Sequence, residues 1–308
     1  MFSPCLDWWS PDGQGKHLKG IIAYLLTPCD ARGEVDHALL ARHAERLIGQ
    51  GVHGLAPLGS VGCLPYLDDG ERDAVVRTVI DTAAGRVPVV AGVSSLTTAG
   101  TVRHARYAEQ VGATAIQVLP STYWKLTEDE LFAYYRAVCE AVSIPVMAYN
   151  NPFTTGMDLP VAFLRRLADL PNITMLKEAS PDATKIGRLR DACGDRLSIY
   201  VGLNSMALRG FSDGAAGWCT SAPNVCASMM LGFHRCVAAG DMAGAESWFG
   251  KQAELLDFLM DHGLPRTITA GLELLGMPAG HLRAPLAPLD AARREQLRSI
   301  ITKMGIQP

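Results

Sequence analysis

"NITMLKEAS", residues 172–180, is the stretch on which the reading of this chain turns. Ile173, Met175 and Leu176 have the apolar character of a short buried strand, yet the run closes on Lys177 and Glu178. A lysine in that place either carries its charge out to water or holds an amine in a pocket. The elements around it decide between the two.

Short β-rich runs of the same kind recur along the chain, each followed by an amphipathic helical stretch. "GIIAYLL" (20–26), "GLAPLG" (54–59), "VPVVAGV" (87–93) and "AIQVLP" (115–120) precede the strand of "IPVMAY" (144–149). "ITMLK" (173–177), "LSIYVG" (197–202) and "AAGWCT" (215–220) complete the series. Helices are expected near 36–50, 70–84, 99–112, after "TEDE" (127–130), and near 160–169, 182–193, 205–213 and 224–239. Strands alternating with crossover helices form parallel sheets, and eight such units close into a (β/α)₈ TIM barrel. The fold class expected is therefore α/β. A barrel at 19–239 follows an N-terminal arm at 1–18 and precedes a C-terminal helical domain at 240–308, where helical periodicity continues without a strand.

At 308 residues, 48% hydrophobic and 19% charged, the chain has ample material for one large core. A net charge of −3 without blocks of like charge argues against nucleic acid or an acidic membrane as partner. No apolar run reaches the length of a membrane span, and "MFSPCLDWWSPDGQGKHLKG" lacks the order of a signal peptide. Eight cysteines without a CxxC pair read as the reduced thiols of a cytoplasmic protein.

A barrel places its chemistry where the strands end. Polar residues expected there are Ser60, Thr122, Tyr123, Tyr149, Lys177, Asn204, Thr220 and Ser221. Tyr149 and Lys177 end neighbouring strands, so their side chains can meet. A neutral lysine amine attacks the carbonyl of a 2-oxo acid and loses water to give an iminium ion, an electron sink for breaking or making a carbon–carbon bond. The dehydration needs a proton donor within reach, a role suited to a tyrosine. "GSVG" (59–62) is a Gly-rich turn at a strand-to-helix junction, a place where backbone N–H groups gather an anion. Each feature alone also has a plainer reading: a solvated strand end for Lys177, a turn for "YNNP" (149–152), a tight loop for "GSVG", packing for Tyr123 and Trp124.

In combination, G-S-x-G after strand 2, Y-N-N-P-x-x-T-G after strand 5 and K-E-A-S at strand 6 resemble the dihydrodipicolinate synthase/N-acetylneuraminate lyase family of class I aldolases. "GIIAYLLTPCDARGEVD" (20–36) and "AGLELLGMPAGHLRAPLAPL" (270–289) are similar to its first strand and its C-terminal helices. The resemblance implies a TIM barrel with a helical extension, no cofactor, no metal, and assembly as a homotetramer (a dimer of dimers) or a homodimer. It implies Lys177 as the Schiff-base lysine, Tyr149 as the proton relay, and Ser60 as a relay hydroxyl. Gly59, Val61, Thr122, Tyr123, Thr154, Gly202, Asn204 and Cys219 fall at substrate-binding positions.

The sequence departs from the family's usual pattern in the same places. The loop G-T-T-G-E becomes Gly59-Ser60-Val61-Gly62-Cys63, losing one side-chain donor and one carboxylate. Thr154 stands where the lysine-pathway synthases carry an arginine for the aldehyde's carboxylate. The relay tyrosine that a neighbouring subunit lends aligns with Thr122, one step from Tyr123, and Asp69 and Arg72 replace regulatory histidines. The expectation is a lyase acting on pyruvate or a related 2-oxo acid but not the lysine-pathway synthase itself, with a 2-keto-3-deoxy sugar acid as alternative substrate and Lys125 as a substitute charge. Two readings of other classes remain: a 2-oxo acid binding barrel without turnover, and a metal-dependent lyase, for which the eight histidines lie mostly on helices or in the tail.

Overall fold

A computed structural model describes residues 18–306, so the expected N-terminal arm lies, Leu18 apart, outside the described residues. Eight strands alternate with helices. They are β1 (Gly20–Tyr24), β2 (Gly54–Ala56), β3 (Val90–Gly92), β4 (Ala115–Val118), β5 (Val146–Asn150), β6 (Ile173–Glu178), β7 (Ser198–Val201) and β8 (Gly217–Thr220). The helices are α1 (His37–Gln50), α2 (Asp69–Ala83), α3 (Thr98–Gln110), α4 (Glu128–Ala141), α5 (Pro152–Thr155) and α6 (Val161–Leu167). After them come α7 (Lys185–Cys193), α8 (Ala207–Ser212), α9 (Pro223–Ala238), α10 (Met242–His262), α11 (Leu264–Leu274) and α12 (Ala291–Lys303).

All eight strands belong to one sheet in the order β2-β1-β8-β7-β6-β5-β4-β3. A parallel bridge from Leu55 of β2 to Val89, just ahead of β3, joins the two ends of that order. The expected (β/α)₈ barrel is the fold. Nearly every strand residue is buried, the signature of a parallel sheet covered on both faces.

Internal contacts divide the chain into two compact units. The first comprises residues 18–20, Val93–Gln110 and Thr114–Trp218 and holds β4 to β7; the second comprises Ile21–Gly92, Val111–Ala113 and residues 219–306. In the first unit the register runs Tyr149↔Lys177 and Asn150↔Glu178 between β5 and β6, then Lys177↔Tyr200 between β6 and β7. The "TEDE" signal acts as a capping box: Thr127 accepts from the Glu130 N–H while the Glu130 carboxylate accepts from Thr127 N–H at 2.8 Å. In the second unit Asp68 and Glu71 cap α2 in the same way. Glu71 also takes a two-pronged ion pair from Arg283, which fastens the C-terminal segment to that helix.

Three local differences from the expected elements have simple causes. β2 stops at Ala56, because Pro57 lacks an N–H and Leu58 turns the chain with a left-handed φ of 59°. β6 continues one residue past Lys177, since the Glu178 carbonyl still accepts from Gly202 N–H at 2.7 Å. Beyond the "YNNP" stretch read as a turn, "PFTT" closes into the short helix α5, with Pro152 at its first position and Gly156 at its end.

Candidate active site

In the first unit the ends of β5 and β6 carry the candidate reacting groups. Lys177 and Tyr149 are each only 4% exposed, and the Lys177 Nζ lies 4.1 Å from the centroid of the Tyr149 ring. Register places them side by side across the two strands. Tyr149 packs with Ala179 and Leu203 in a small apolar cluster. Its phenol oxygen accepts a hydrogen bond from Asn151 Nδ2 at 2.8 Å. An oxygen that accepts in this way keeps its own proton for another partner.

Gly202, at the end of β7, touches the lysine by what it lacks. A Cβ built on it would stand 2.9 Å from Lys177 Cγ and 2.9 Å from Ala179 Cβ. Any side chain here crowds the aliphatic stem of Lys177, so either that stem or the end of β7 must shift. Thr154, on α5, joins the same group through Asn151, whose Nδ2 also donates to Thr154 Oγ1 at 2.9 Å. The Thr154 hydroxyl therefore helps to orient the amide that donates to the Tyr149 phenol.

The other positions read in this unit lie differently. Asn204 is buried, and its Oδ1 accepts from Trp218 Nε1 at 3.3 Å, an internal bond. Thr122 and Tyr123 lie on the β4–α4 loop and line a groove of about 640 Å³ with Leu96, Trp124, Leu126 and Tyr134. Tyr123 is 88% exposed and packs edge-to-face on Trp124, itself 77% exposed. Lys125 follows them on the exposed loop.

The second unit holds Gly59, Ser60, Val61 and Cys219. Gly59 is required by close approach: a Cβ there would come within 2.2 Å of Tyr24 Cδ1. Ser60 is exposed, Val61 and Cys219 are buried, and Gly62 N–H closes the turn onto the Gly59 carbonyl at 2.9 Å. Leu58 and Cys63 flank the turn, each with a positive φ (59° and 57°), a conformation that costs a non-glycine residue about 1 kcal/mol or more. Burial pushes the Cys63 thiol up to about 12, with Cys29 adding to the shift, so it stands here as a protonated group. Among the described residues no group of three or more His, Cys, Asp or Glu is arranged to hold a metal ion.

Sequence reasoning missed two features. Asn151 is hidden within the turn reading of "YNNP". The cluster of buried Asn150, Glu178 and Lys185 with half-exposed Asp158 carries no sequence signature, because its members are brought together only by strand register, the loop after α5 and α7. Burial raises the Glu178 carboxyl above the ordinary carboxylate range, opposed by the nearby Lys185 ammonium and by hydrogen bonds from Ser180 and Asn150.

The profile of the dihydrodipicolinate synthetase family matches residues 17–304. A 4-hydroxy-tetrahydrodipicolinate synthase of Methylobacterium radiotolerans is 35% identical over 292 residues, covering 95% of this chain and 97% of that protein. Among solved structures, a Pseudomonas aeruginosa protein superposes with a TM-score of 0.91 at 44% identity, covering 93% of this chain and 99% of that one. A dihydrodipicolinate synthase of Acinetobacter baumannii, solved in complex with pyruvate, superposes with a TM-score of 0.90 at 30% identity, covering 94% and 99%.

Proposed function

The chain belongs to the dihydrodipicolinate synthetase family, and on that premise we propose that it is a Schiff-base-forming lyase acting on pyruvate or a related 2-oxo acid. One observation carries the reading: a buried lysine amine rests against the ring of a tyrosine whose phenol oxygen already accepts from an amide. Lys177 Nζ adds to the ketone carbon of the 2-oxo acid, giving a carbinolamine. The Tyr149 phenol donates its proton to the departing hydroxyl, water leaves, and the C=N bond forms. Asn151 steadies the phenolate left behind. The iminium then accepts the electron pair of a neighbouring carbon–carbon bond on cleavage, or yields the enamine that attacks an aldehyde on synthesis.

Pyruvate with borohydride is expected to add one reduced pyruvyl group, mapped by mass spectrometry to the peptide carrying Lys177. No adduct there with several 2-oxo acids, or an adduct on another lysine, overturns the proposal.

For the second substrate, Thr154 favours a neutral or hydroxylated partner over aspartate semialdehyde. Its hydroxyl is neutral and already engaged by Asn151, whereas a carboxylate is best held by a bidentate arginine. Losing a charge-assisted bond costs roughly 1.5–3 kcal/mol, or about ten- to a hundredfold in affinity. Cleavage of 2-keto-3-deoxy acids is therefore expected to exceed condensation of pyruvate with aspartate semialdehyde in kcat/KM. Efficient condensation, at about 10⁴ M⁻¹s⁻¹ or above, overturns this preference.

The exposed apolar rim of Leu96, Tyr123 and Trp124 supports assembly into a dimer or tetramer through that groove. Sedimentation of a Trp124→Ser variant, expected to shift toward monomer, tests it. The seven described cysteines are all free thiols, which supports a cytoplasmic location.

A further inference from the structure

The residue after each candidate reacting group points to the other face of the sheet, as strand alternation requires. There Asn150 and Glu178, themselves register partners, meet two side chains from elsewhere in the first unit. Asn150 is fully buried, and its Nδ2 donates to both Glu178 oxygens (3.1 and 2.9 Å) and to Asp158 Oδ1 at 2.8 Å. Its Oδ1 accepts from Leu159 N–H at 3.0 Å. The Glu178 carboxylate takes a further bond from Ser180 N–H at 2.6 Å and lies 3.8 Å from Lys185 Nζ. Lys185, on α7, is as buried as Glu178 and is ion-paired with Asp158.

Buried ion pairs are weak stabilisers, since apolar side chains of similar size often serve as well. A network this complete therefore calls for a role beyond stability. Its position supplies one. It grips the backbone immediately after Tyr149 and Lys177, where Asn150 carbonyl accepts from Ala179 N–H at 2.9 Å and Glu178 carbonyl from Gly202 N–H at 2.7 Å. Through Asp158 and Leu159 it also staples down the loop that carries Asn151 and Thr154. Both supports of the reacting pair, the strand ends and the Asn151 loop, lead back to one cluster.

We propose that Asn150, Asp158, Glu178 and Lys185 form a positioning cluster that holds the Lys177 amine against Tyr149 and thereby sets its reactivity toward carbonyl carbon. The assignment of 2-oxo acids as substrates rests on the function proposed above. The reactivity of the amine is measured separately from it.

The test uses the full chain with Glu178→Gln, Lys185→Met, the double variant Glu178→Gln/Lys185→Met, and Asp158→Asn at the half-exposed end. Formaldehyde with borohydride methylates Lys177 without recourse to any 2-oxo acid, and its rate across pH is read by mass mapping against the other lysines as internal standards. Glu178→Gln and Lys185→Met are expected to slow methylation at Lys177 about tenfold and to displace its pH profile. The double variant, free of the stranded charge, regains melting temperature but not rate. Pyruvate turnover, where present, falls in kcat with KM within about twofold. Asp158→Asn, which leaves the buried pair intact, is expected to fold as the parent does and to slow methylation by about threefold. It decides the matter if the buried variants fail to fold. Parent-like methylation rate and pH profile at Lys177 in the folded variants overturn the cluster's role. A parent that is methylated at Lys177 but takes no 2-oxo acid overturns the proposed function and leaves the cluster to be judged on methylation alone.

Discussion

The ends of β5 and β6 present two faces built on opposite plans. On one face Lys177 and Tyr149 lie amine against ring, beside Ala179 and Leu203. On the other, one residue further along, Asn150 and Glu178 are knitted to Ser180, Leu159, Asp158 and Lys185. The first face keeps reactive groups in apolar surroundings, and the second spends its polar groups on one another. A strand can do both at once because its side chains alternate. The two faces separate most clearly when the polar one is left intact and the chemistry is removed from the other. Lys177→Arg keeps a long basic side chain, yet guanidinium does not form a Schiff base under these conditions, so adduct and turnover are expected to vanish while the melting temperature stays near the parent's. Measurable turnover would place the nucleophile elsewhere.

Tyr149→Phe comes next. It keeps the ring against the amine and removes the hydroxyl that Asn151 binds. Turnover is expected to fall by on the order of 10²-fold, chiefly in kcat. An unimpaired variant would make the tyrosine a packing residue. Gly202→Ala asks a smaller question of the same face. The added methyl stands 2.9 Å from Lys177 Cγ, so either the lysine stem shifts or the β7 end moves. Such overpacking costs about 1–3 kcal/mol, and the borohydride-trapping rate is expected to drop roughly tenfold with a lower melting temperature. A parent-like trapping rate would show that the lysine stem has room to spare.

The two faces were unequally legible in the sequence. Strand periodicity placed Tyr149 and Lys177 on adjacent strands, because the apolar runs before them permit little else. The "TEDE" cap was equally readable, since its chemistry is contained within four residues. The polar face was not. Lys185 reads as an ordinary helix residue, and Asp158 as a loop acid; only the register and α7 bring them to Glu178. The Gly59 turn shows the same limit in the second unit. Its glycines announce a turn, but the left-handed φ of Leu58 and Cys63 belongs to residue types that do not advertise it. What a local spacing rule governs can be read from the chain; what long-range closure imposes has to be seen.

Activity is expected to respond least to a buried polar group that lacks the partners of Glu178 and Lys185. His43, on the core side of α1, is 4% exposed, and its Nε2 meets no hydrogen-bond partner among the described residues. Burial, with Arg46 and Arg42 adding to it, lowers its pKa from 6.5 to about 4. His234, half-buried beside His53, is lowered to about 4 as well, again chiefly by burial. The sign follows from proton uptake. Between pH 6.5 and 4 the unfolded chain binds these protons and the folded chain does not, so stability falls as pH drops through that window and levels off below it. For His43 the full loss is on the order of 3 kcal/mol. His43→Leu keeps an apolar volume and removes the titration. Urea midpoints measured from pH 7 to pH 4.5 are expected to decline less steeply in the variant, by up to about one proton's worth of slope, while His234 and His53 keep the slope from vanishing. Turnover at pH 7.5 is expected to be unchanged, because the residue belongs to the core of the second unit and to neither face of the β5–β6 end. An identical acid slope in parent and variant would mean that His43 is protonated in the folded protein despite its burial and its unpartnered Nε2.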